Sequence, residues 1–143
     1  MNLRLKLLVV TITFLMSGCA TRMLEGESID MVSRGSNTVS HGDIANAFPR
    51  LRTIVIDIDR RTYMGNIEPT APNETFGFDR LYGPGRYAAN PPATPGRKNY
   101  YKAILSSADN HILRCDLTHR EEKQRDGLCV DDFGHIYDVM PPR

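Results

Sequence analysis

Histidines are the first residues in this chain whose chemistry could serve acid–base catalysis or metal binding. The four histidines are His41, His111, His119 and His135. No two of them stand at an interval that recognised metal sites use. His111 and His135 each follow turn-forming residues and precede apolar residues, where an imidazole can bond a nearby backbone group. The sequence therefore predicts no metal site and no cofactor.

Two pairs of aspartates are the candidates for general acid–base chemistry. Asp57 and Asp59 alternate along an apolar segment, and Asp131 and Asp132 stand at a turn. A calcium loop would need further acids after Asp59, where the sequence has Arg61. No phosphate-binding loop, dinucleotide fingerprint or nucleophile elbow occurs. We therefore expect these carboxylates to be solvated or turn-forming, and we predict that the chain is not an enzyme.

The amino terminus has the three parts of an export signal. Residues 1–6 carry two basic side chains, residues 7–16 form an apolar run of 10, and Ser17 and Gly18 then precede Cys19. This run is too short to cross a bilayer as a helix, which needs about 20 residues. The segment therefore predicts export of the chain.

Residues 15–19, Leu-Met-Ser-Gly-Cys, resemble the lipobox of bacterial lipoproteins, with Met16 where the family usually has leucine. The resemblance implies cleavage between Gly18 and Cys19, a diacylglycerol on the Cys19 thiol and an acyl chain such as palmitate on the new amine. Two or more acyl chains give stable membrane anchoring. In enteric-type bacteria an aspartate after the cysteine resembles an inner-membrane retention signal. Ala20 at that position therefore implies the outer membrane, facing the periplasm.

The resemblance also separates the roles of the three cysteines. With Cys19 acylated, Cys115 and Cys129 remain as a pair, and an oxidising compartment favours a disulfide between them. Closing a loop of about 15 residues contributes roughly 3 kcal/mol in the chain-entropy treatment. Two alternative roles for these cysteines have less support in the sequence. A nucleophilic Cys115 lacks a family signature around it, and a zinc site with His119 lacks C-x-x-C or H-x3-H spacing.

Alternation of apolar and polar residues predicts strands in the second half of the chain. The segment 53–59 puts Ile54, Ile56 and Ile58 on one face, and 63–67 is expected to return as its hairpin partner. Four further strands are predicted at 99–106, 111–118, 128–131 and 135–139. We expect residues 48–143 to form a small, mainly β domain, an antiparallel sheet or open barrel of about six short strands.

The segments that flank these strands differ in composition. Residues 1–18 are assigned to the signal peptide, and residues 19–47, without a sustained period, predict a flexible tether. Residues 68–96 hold most of the nine prolines, which disfavour regular strand pairing. This Pro/Gly-rich loop carries four aromatic residues, Phe76, Phe78, Tyr82 and Tyr87. They either cover one end of the core or bind a partner.

Two short segments of the chain are similar to each other. Residues 108–115 read ADNHILRC and residues 132–139 read DFGHIYDV, each with turn residues before His-Ile. If the similarity is not chance, it predicts that the hairpins containing His111 and His135 are built alike. It does not predict what they bind.

Charge and the export signal favour one class of function. A formal net charge of +1 gives no electrostatic footprint for nucleic acid. Residues 114–138 also resemble a segment of small proteobacterial lipoproteins, a likeness that implies no activity. We expect a membrane-anchored periplasmic lipoprotein, a non-catalytic binding or structural module whose partner is an envelope protein. The alternative is a cell-envelope enzyme, or an inhibitor of one, with an unrecognised site.

Overall fold

The computed structural model describes residues 27–47, 51–86, 98–119 and 125–140. In this part of the chain, eight antiparallel strands pair in sequence order, and β1 pairs with β8 to close a barrel. The strands are β1 (Glu27–Ser33), β2 (Val39–Ala47), β3 (Leu51–Ile58), β4 (Arg61–Thr70), β5 (Asn99–Ser106), β6 (Ile112–His119), β7 (Arg125–Asp131) and β8 (Ile136–Met140). One short helix, α1 (Phe78–Tyr82), lies between β4 and β5.

The barrel confirms the predicted class and corrects its details. The protein is mainly β and antiparallel, and the six predicted strands are present as β3 to β8. The expectation of a six-stranded or open sheet is wrong, because two more strands, β1 and β2, complete the circle. Closure leaves no unpaired sheet edge in the described barrel.

β1 and β2 occupy residues 27–47, so the prediction that these residues belong to a flexible tether is wrong. Residues 19–26 of that predicted tether lie outside the described part. β1 buries Ile29 and Met31 in the core, and β2 buries Ile44 there. So few apolar positions give no clear alternation in the sequence. The two strands form because neighbouring strands on both sides pair and pack with them, and strand preference depends strongly on such context.

Side chains that point inwards fill the barrel, as in other barrels of this strand number. They are mostly aliphatic and include Ile29, Met31, Ile44, Ile54, Ile56, Ile67, Leu105, Leu113, Leu117 and Val139. Glycine is needed where strands crowd: a Cβ on Gly65 would lie 2.3 Å from the backbone oxygen of Ile104. The interior is therefore a packed core.

The predicted disulfide is present inside the barrel. Cys115 on β6 and Cys129 on β7 stand directly opposite each other, with an S–S distance of 2.00 Å and a Cα–Cα distance of 4.1 Å. Both cysteines are fully buried. The bridge therefore links β6 to β7 from the core side.

The Pro/Gly-rich loop is partly regular. β4 continues through Pro69 to Thr70, so the expectation that prolines prevent pairing fails at the start of this loop. Pro69 is tolerated there because the pairing of β4 with β3 ends at Ile67, so Pro69 has no strand partner on that side. Residues 71–86, here called the strap, follow β4 and include α1. Residues 87–97 lie outside the described part.

The strap packs against the outside of the barrel through its aromatic residues. Phe78 contacts Leu128 and Val130, which point outwards from β7, and Phe76 packs beside it. The carboxylate of Asp116 on β6 accepts hydrogen bonds from the backbone N–H groups of Phe76 and Phe78, at 2.9 and 3.1 Å. The start of α1 is thereby tied to β6.

A buried ion pair holds the other half of the strap. Asp138 on β8 is 0% exposed and accepts hydrogen bonds from Nε and Nη2 of Arg34, both at 2.9 Å. Asp138 also accepts from the backbone N–H of Arg86 at 2.9 Å. Arg34 in turn donates to the carbonyl oxygens of Tyr82 and Pro84. These contacts join the strap to β8 and to the turn after β1.

The two ends of the barrel differ. One end, here called the turn end, carries the four short connections 34–38, 59–60, 107–111 and 132–135. β1 begins and β8 ends at the opposite end. In the described barrel, the first strand therefore starts and the last strand finishes at the end opposite the turn end.

Candidate functional site at the turn end

The β5–β6 hairpin holds His111 at the turn end. The backbone N–H of Ser107 donates to the carbonyl of His111 at 3.0 Å, and the Ser107 hydroxyl accepts from the His111 N–H at 3.1 Å. Asn110 has φ 64°, a left-handed conformation that asparagine tolerates. His111 is therefore fixed directly before β6.

The β7–β8 hairpin holds His135 in the same way. The backbone N–H of Asp131 donates to the carbonyl of His135 at 3.1 Å, and Asp131 Oδ1 accepts from the His135 N–H at 2.8 Å. Gly134, with φ 85°, takes the left-handed position that Asn110 has in the other hairpin. The prediction that these two hairpins are built alike is confirmed.

Each of these two imidazoles is oriented by an aspartate. His111 Nδ1 lies 2.9 Å from Asp132 Oδ2, and His135 Nδ1 lies 2.8 Å from Asp131 Oδ2. The hydrogen bond from His111 lowers the pKa of Asp132 below its usual value. A carboxylate at Nδ1 favours the tautomer with the proton on that atom, which leaves Nε2 of His135 as the acceptor. His111 differs, because its Nε2 lies 3.6 Å from a second carboxylate, that of Asp109.

Asp131 organises the β7–β8 turn. Its side chain is buried and accepts four hydrogen bonds. The donors are the backbone N–H of Phe133 (3.0 Å), the backbone N–H and Nδ1 of His135 (both 2.8 Å) and the hydroxyl of Tyr137 (3.2 Å). A buried carboxylate requires such donors to offset the loss of water. Asp131 therefore shapes the site through its neighbours.

An exposed aromatic ring stands between the two imidazoles. Phe133 is 55% exposed, and its ring centroid lies 4.6 Å from that of His111 and 6.1 Å from that of His135. The guanidinium carbon of Arg61 lies 5.7 Å from the same centroid. These neighbours hold the ring in place while more than half of its surface faces solvent.

The charge of Arg61 is matched by a carboxylate. Arg61 Nε donates to Asp109 at 2.7 Å, and the Ser107 hydroxyl donates to the same side chain. The hydrogen bond from Ser107, followed by that from Arg61, lowers the pKa of Asp109 to about 2. Asp109 is therefore charged at neutral pH and pairs with Arg61.

A cavity of about 220 Å³ opens beside Phe133 at the mouth of the barrel. Its lining residues are Ile58, Asp59, Arg61, Tyr63, Asp131, Phe133, His135 and Tyr137. Burial raises the pKa of both Tyr63 and Tyr137, and the charge of Asp131 raises it further. Both phenols are thus neutral at physiological pH, and the cavity combines aromatic walls with carboxylates.

A second cavity, of about 200 Å³, lies between the strap and the β6–β7 pair. Asp79, Arg80, Lys98 and Tyr100 contribute to its wall, and it contains no histidine among the described residues that line it. Asp116 in this wall already binds the backbone of the strap. The turn end therefore offers the richer chemistry of the two.

The aromatic residues predicted as a partner-binding loop are largely engaged by the barrel. Phe78 is 8% exposed and Phe76 is partly buried, whereas Tyr82 is 40% exposed. Tyr87 lies outside the described residues. For Phe76 and Phe78 the packing favours a covering role over partner binding. They cover the outer face of β7, however, and not one end of the core.

The remaining sequence candidates do not come together. Gly18 and Cys19, the predicted cleavage and lipidation residues, lie outside the described part. His41 Nδ1 lies 2.6 Å from Asp30 Oδ1, with the His41 side chain largely exposed. Asp57 is exposed on β3, away from the cavity that Asp59 lines. Only Asp59, of the predicted Asp57–Asp59 pair, therefore belongs to the turn-end site.

Sequence reasoning did not single out Phe133, Arg61, Tyr63 or Tyr137, because two hairpins distant in sequence bring them together. The signal that could have found the site is the repeated His-Ile. It marks the two equivalent hairpins, and Phe133 lies in the second copy, two residues before His135.

Comparison of the chain with protein-family models, with curated proteins and with solved structures gives no match. Within the described ranges, no helix is long and apolar enough to cross a membrane. The same ranges contain no group of three or more His, Cys, Asp and Glu side chains arranged to hold a metal ion. The fold and site define an eight-stranded antiparallel barrel with a histidine-flanked aromatic residue at its turn end.

Proposed function

We propose that this protein is a lipid-anchored, periplasm-facing binding module of the bacterial cell envelope, with the turn end as its binding surface. The observation that carries the proposal is Phe133, which is largely exposed and yet held by His111, His135 and Arg61. Aromatic residues are enriched where proteins recognise partners, and such residues account for much of the binding energy. An aromatic side chain that already packs against its neighbours loses less entropy on binding than a free one.

The anchor in this proposal is the acylated Cys19, whose support is the lipobox-like sequence before it. Cys19 precedes Glu27 by eight residues, a length that reaches at most about 28 Å when fully extended. β1 starts at Glu27, at the end of the barrel opposite the turn end. An anchor attached there leaves the turn end free to meet an envelope protein.

An envelope enzyme is the second candidate, and one observation favours it. His135 is oriented by Asp131 at the edge of the cavity, which is the arrangement of a general base. In the described residues neither the imidazole of His135 nor that of His111 is hydrogen-bonded to a hydroxyl or thiol that could serve as a nucleophile. A base of this kind would have to activate water or the substrate itself, so binding is the function we favour.

The anchor is tested by mass spectrometry of the protein extracted from envelope membranes. The expected N-terminal peptide begins at Cys19 and carries the mass of the acyl chains. A Cys19→Ser variant should lack this mass and accumulate as the longer precursor. A wild-type protein with an unmodified Cys19 would refute the anchor.

The binding surface is tested by capture from solubilised envelope extracts with two matched variants. Phe133 and Ile104 are both 55% exposed, and Ile104 lies on β5 away from the turn-end cavity. Phe133→Ala should lower the affinity for the captured component about 30-fold, the effect of losing a central hot spot. Ile104→Ala should leave capture unchanged. Equal capture by Phe133→Ala and wild type would refute the proposed surface.

A further inference from the structure

The turn-end cavity has aromatic walls and a size suited to a small group. Its volume of about 220 Å³ corresponds to roughly seven water molecules at about 30 Å³ each. Phe133 lines it with an exposed ring, and Tyr63 and Tyr137, only 2% and 4% exposed, also line it. Faces of aromatic rings attract cations through their quadrupole, and they also accept an aliphatic stem.

The charges around the cavity favour a cationic ligand. Asp59 and Asp131 line it, while the guanidinium of Arg61 is paired with Asp109 at 2.7 Å. After burial, the charge of Asp131 is the largest cause that raises the pKa of Tyr63 and of Tyr137. The phenols therefore experience a net negative environment, which an anionic ligand would have to enter against repulsion.

Asp59 supplies an available acceptor at the rim. It is the first residue of the β3–β4 turn and is exposed, with φ 48°. No hydrogen bond from another described residue reaches its carboxylate. The oxygens of Asp131, in contrast, already accept four hydrogen bonds. A ligand with N–H donors can thus be bound by Asp59 while its apolar part contacts the rings.

A divalent metal ion fits this cavity less well than an organic cation. Calcium and magnesium require several oxygen ligands that are free to coordinate. The carboxylate of Asp131 is committed to its own turn, and the described residues hold no cluster of metal-binding side chains. An ammonium group on an alkyl chain matches both the carboxylate at the rim and the aromatic walls.

We propose that the turn-end cavity binds a primary alkylammonium group, supplied either by a free amine or by a lysine side chain of the partner. This inference rests on the proposed binding function, because it names the chemistry recognised at that same surface. The ammonium lies against Asp59, and its alkyl chain packs against the exposed ring of Phe133.

Amide NMR titration of the full mature chain with three probes of similar length tests the ligand class. Pentylammonium should produce saturable shifts at Asp59, Phe133 and His135, and it should bind about tenfold more tightly than neutral 1-pentanol. Pentanoate, the anionic probe, should produce no saturable shifts. Equal binding of the three probes, or tighter binding of pentanoate, would overturn the inference.

Two matched variants test the role assigned to the rim carboxylate. Asp59→Asn should weaken pentylammonium binding up to about fivefold, as expected for an exposed ion pair. Asp57→Asn, two residues earlier and outside the cavity, should leave the affinity unchanged. Equal effects of the two substitutions would also overturn the inference.

The source of the amine is distinguished by a fourth probe, Nα-acetyl-lysine amide, which keeps the side-chain ammonium free. Binding of this probe as tightly as pentylammonium indicates a lysine side chain, and much weaker binding indicates a free amine.

The failure of this inference and the failure of the proposed function give different results. If Phe133→Ala abolishes capture of the envelope component but Asp59→Asn and added pentylammonium do not affect capture, the binding surface stands and this inference fails. If Phe133→Ala leaves capture intact, the proposed function fails, and the amine titration is judged by itself.

Discussion

Replacing Asp138 by asparagine should release the strap and strongly destabilise the barrel. Asp138 is fully buried and accepts two hydrogen bonds from Arg34 and one from the backbone of Arg86. Asp138→Asn removes the negative charge while leaving the guanidinium in place. Arg34 would then be a partly buried cation without its counter-charge.

The expected loss follows from the burial of the pair. Removing one partner of a buried ion pair costs about 3–5 kcal/mol. The Arg34 side chain is 19% exposed, so water can partly solvate it. We therefore expect a loss of unfolding free energy of about 3 kcal/mol, near the lower limit of that range. This is a large fraction of the stability of a domain, which is about 5–15 kcal/mol.

The loss should depend on pH with a defined sign. Burial alone raises the pKa of Asp138, but the hydrogen bonds from Arg34 and Arg86 outweigh burial, so its pKa in the folded protein is lowered. An unfolded aspartate titrates near about 3.9. Asp138 therefore contributes its full stabilisation above about pH 4, and this contribution is lost as the pH falls through the lowered folded pKa.

Urea denaturation between pH 2.5 and pH 7 measures the effect. The difference in unfolding free energy between wild type and Asp138→Asn should be full at pH 7 and should shrink below about pH 4. Asp43→Asn, at an exposed position on β2, is the control and should change stability by less than about 0.5 kcal/mol. Trypsin should also cleave the strap at Arg80 or Arg86 faster in Asp138→Asn. A loss below about 1 kcal/mol that is the same at pH 3 and pH 7 would refute the buried clamp.

Three further variants test the barrel and its turn. The buried Cys115–Cys129 bridge should resist dithiothreitol until the protein unfolds, and rapid reduction of the native protein would contradict its burial. Replacing both cysteines by serine should lower the unfolding free energy by at least about 3 kcal/mol, because the burial of two hydroxyls adds to the loss of the loop constraint. Gly65→Ala puts a Cβ 2.3 Å from the backbone oxygen of Ile104 and should cost about 1–3 kcal/mol, measured by urea denaturation; an unchanged midpoint would contradict the close strand approach. Asp131→Asn replaces an acceptor of four hydrogen bonds and should cost about 1–3 kcal/mol, with NMR shifts confined to the β7–β8 turn; an unaltered spectrum would contradict its role there.

Long alternation made most of the barrel predictable from the sequence. In β3, three isoleucines at every second position point into the core, and strands of this kind were predicted close to their actual bounds. β1 and β2 were missed because Ile29, Met31 and Ile44 are too few to establish a period. Their pairing depends on β3 and β8, which are distant in sequence, so local patterns could not reveal it.

The candidate site was harder to predict than the fold. The disulfide followed from cysteine counting once Cys19 was assigned to the lipobox-like sequence, and it is confirmed. The His-Ile similarity predicted two equivalent hairpins but not that Phe133 would lie between their imidazoles. Arg61 and Tyr63 come from another hairpin, and only closure of the barrel brings them close to Phe133. The lipid anchor at Cys19 and the absence of catalysis stay predictions.

Photo-crosslinking in living cells tests the central claim, that the turn end is the surface at which this protein binds. A benzophenone amino acid is placed either at Phe133 or at Ile104, two positions with the same 55% exposure. The account predicts a discrete crosslinked envelope component from position 133 and none from position 104. Crosslinks from position 104 alone, or from neither position, would contradict it.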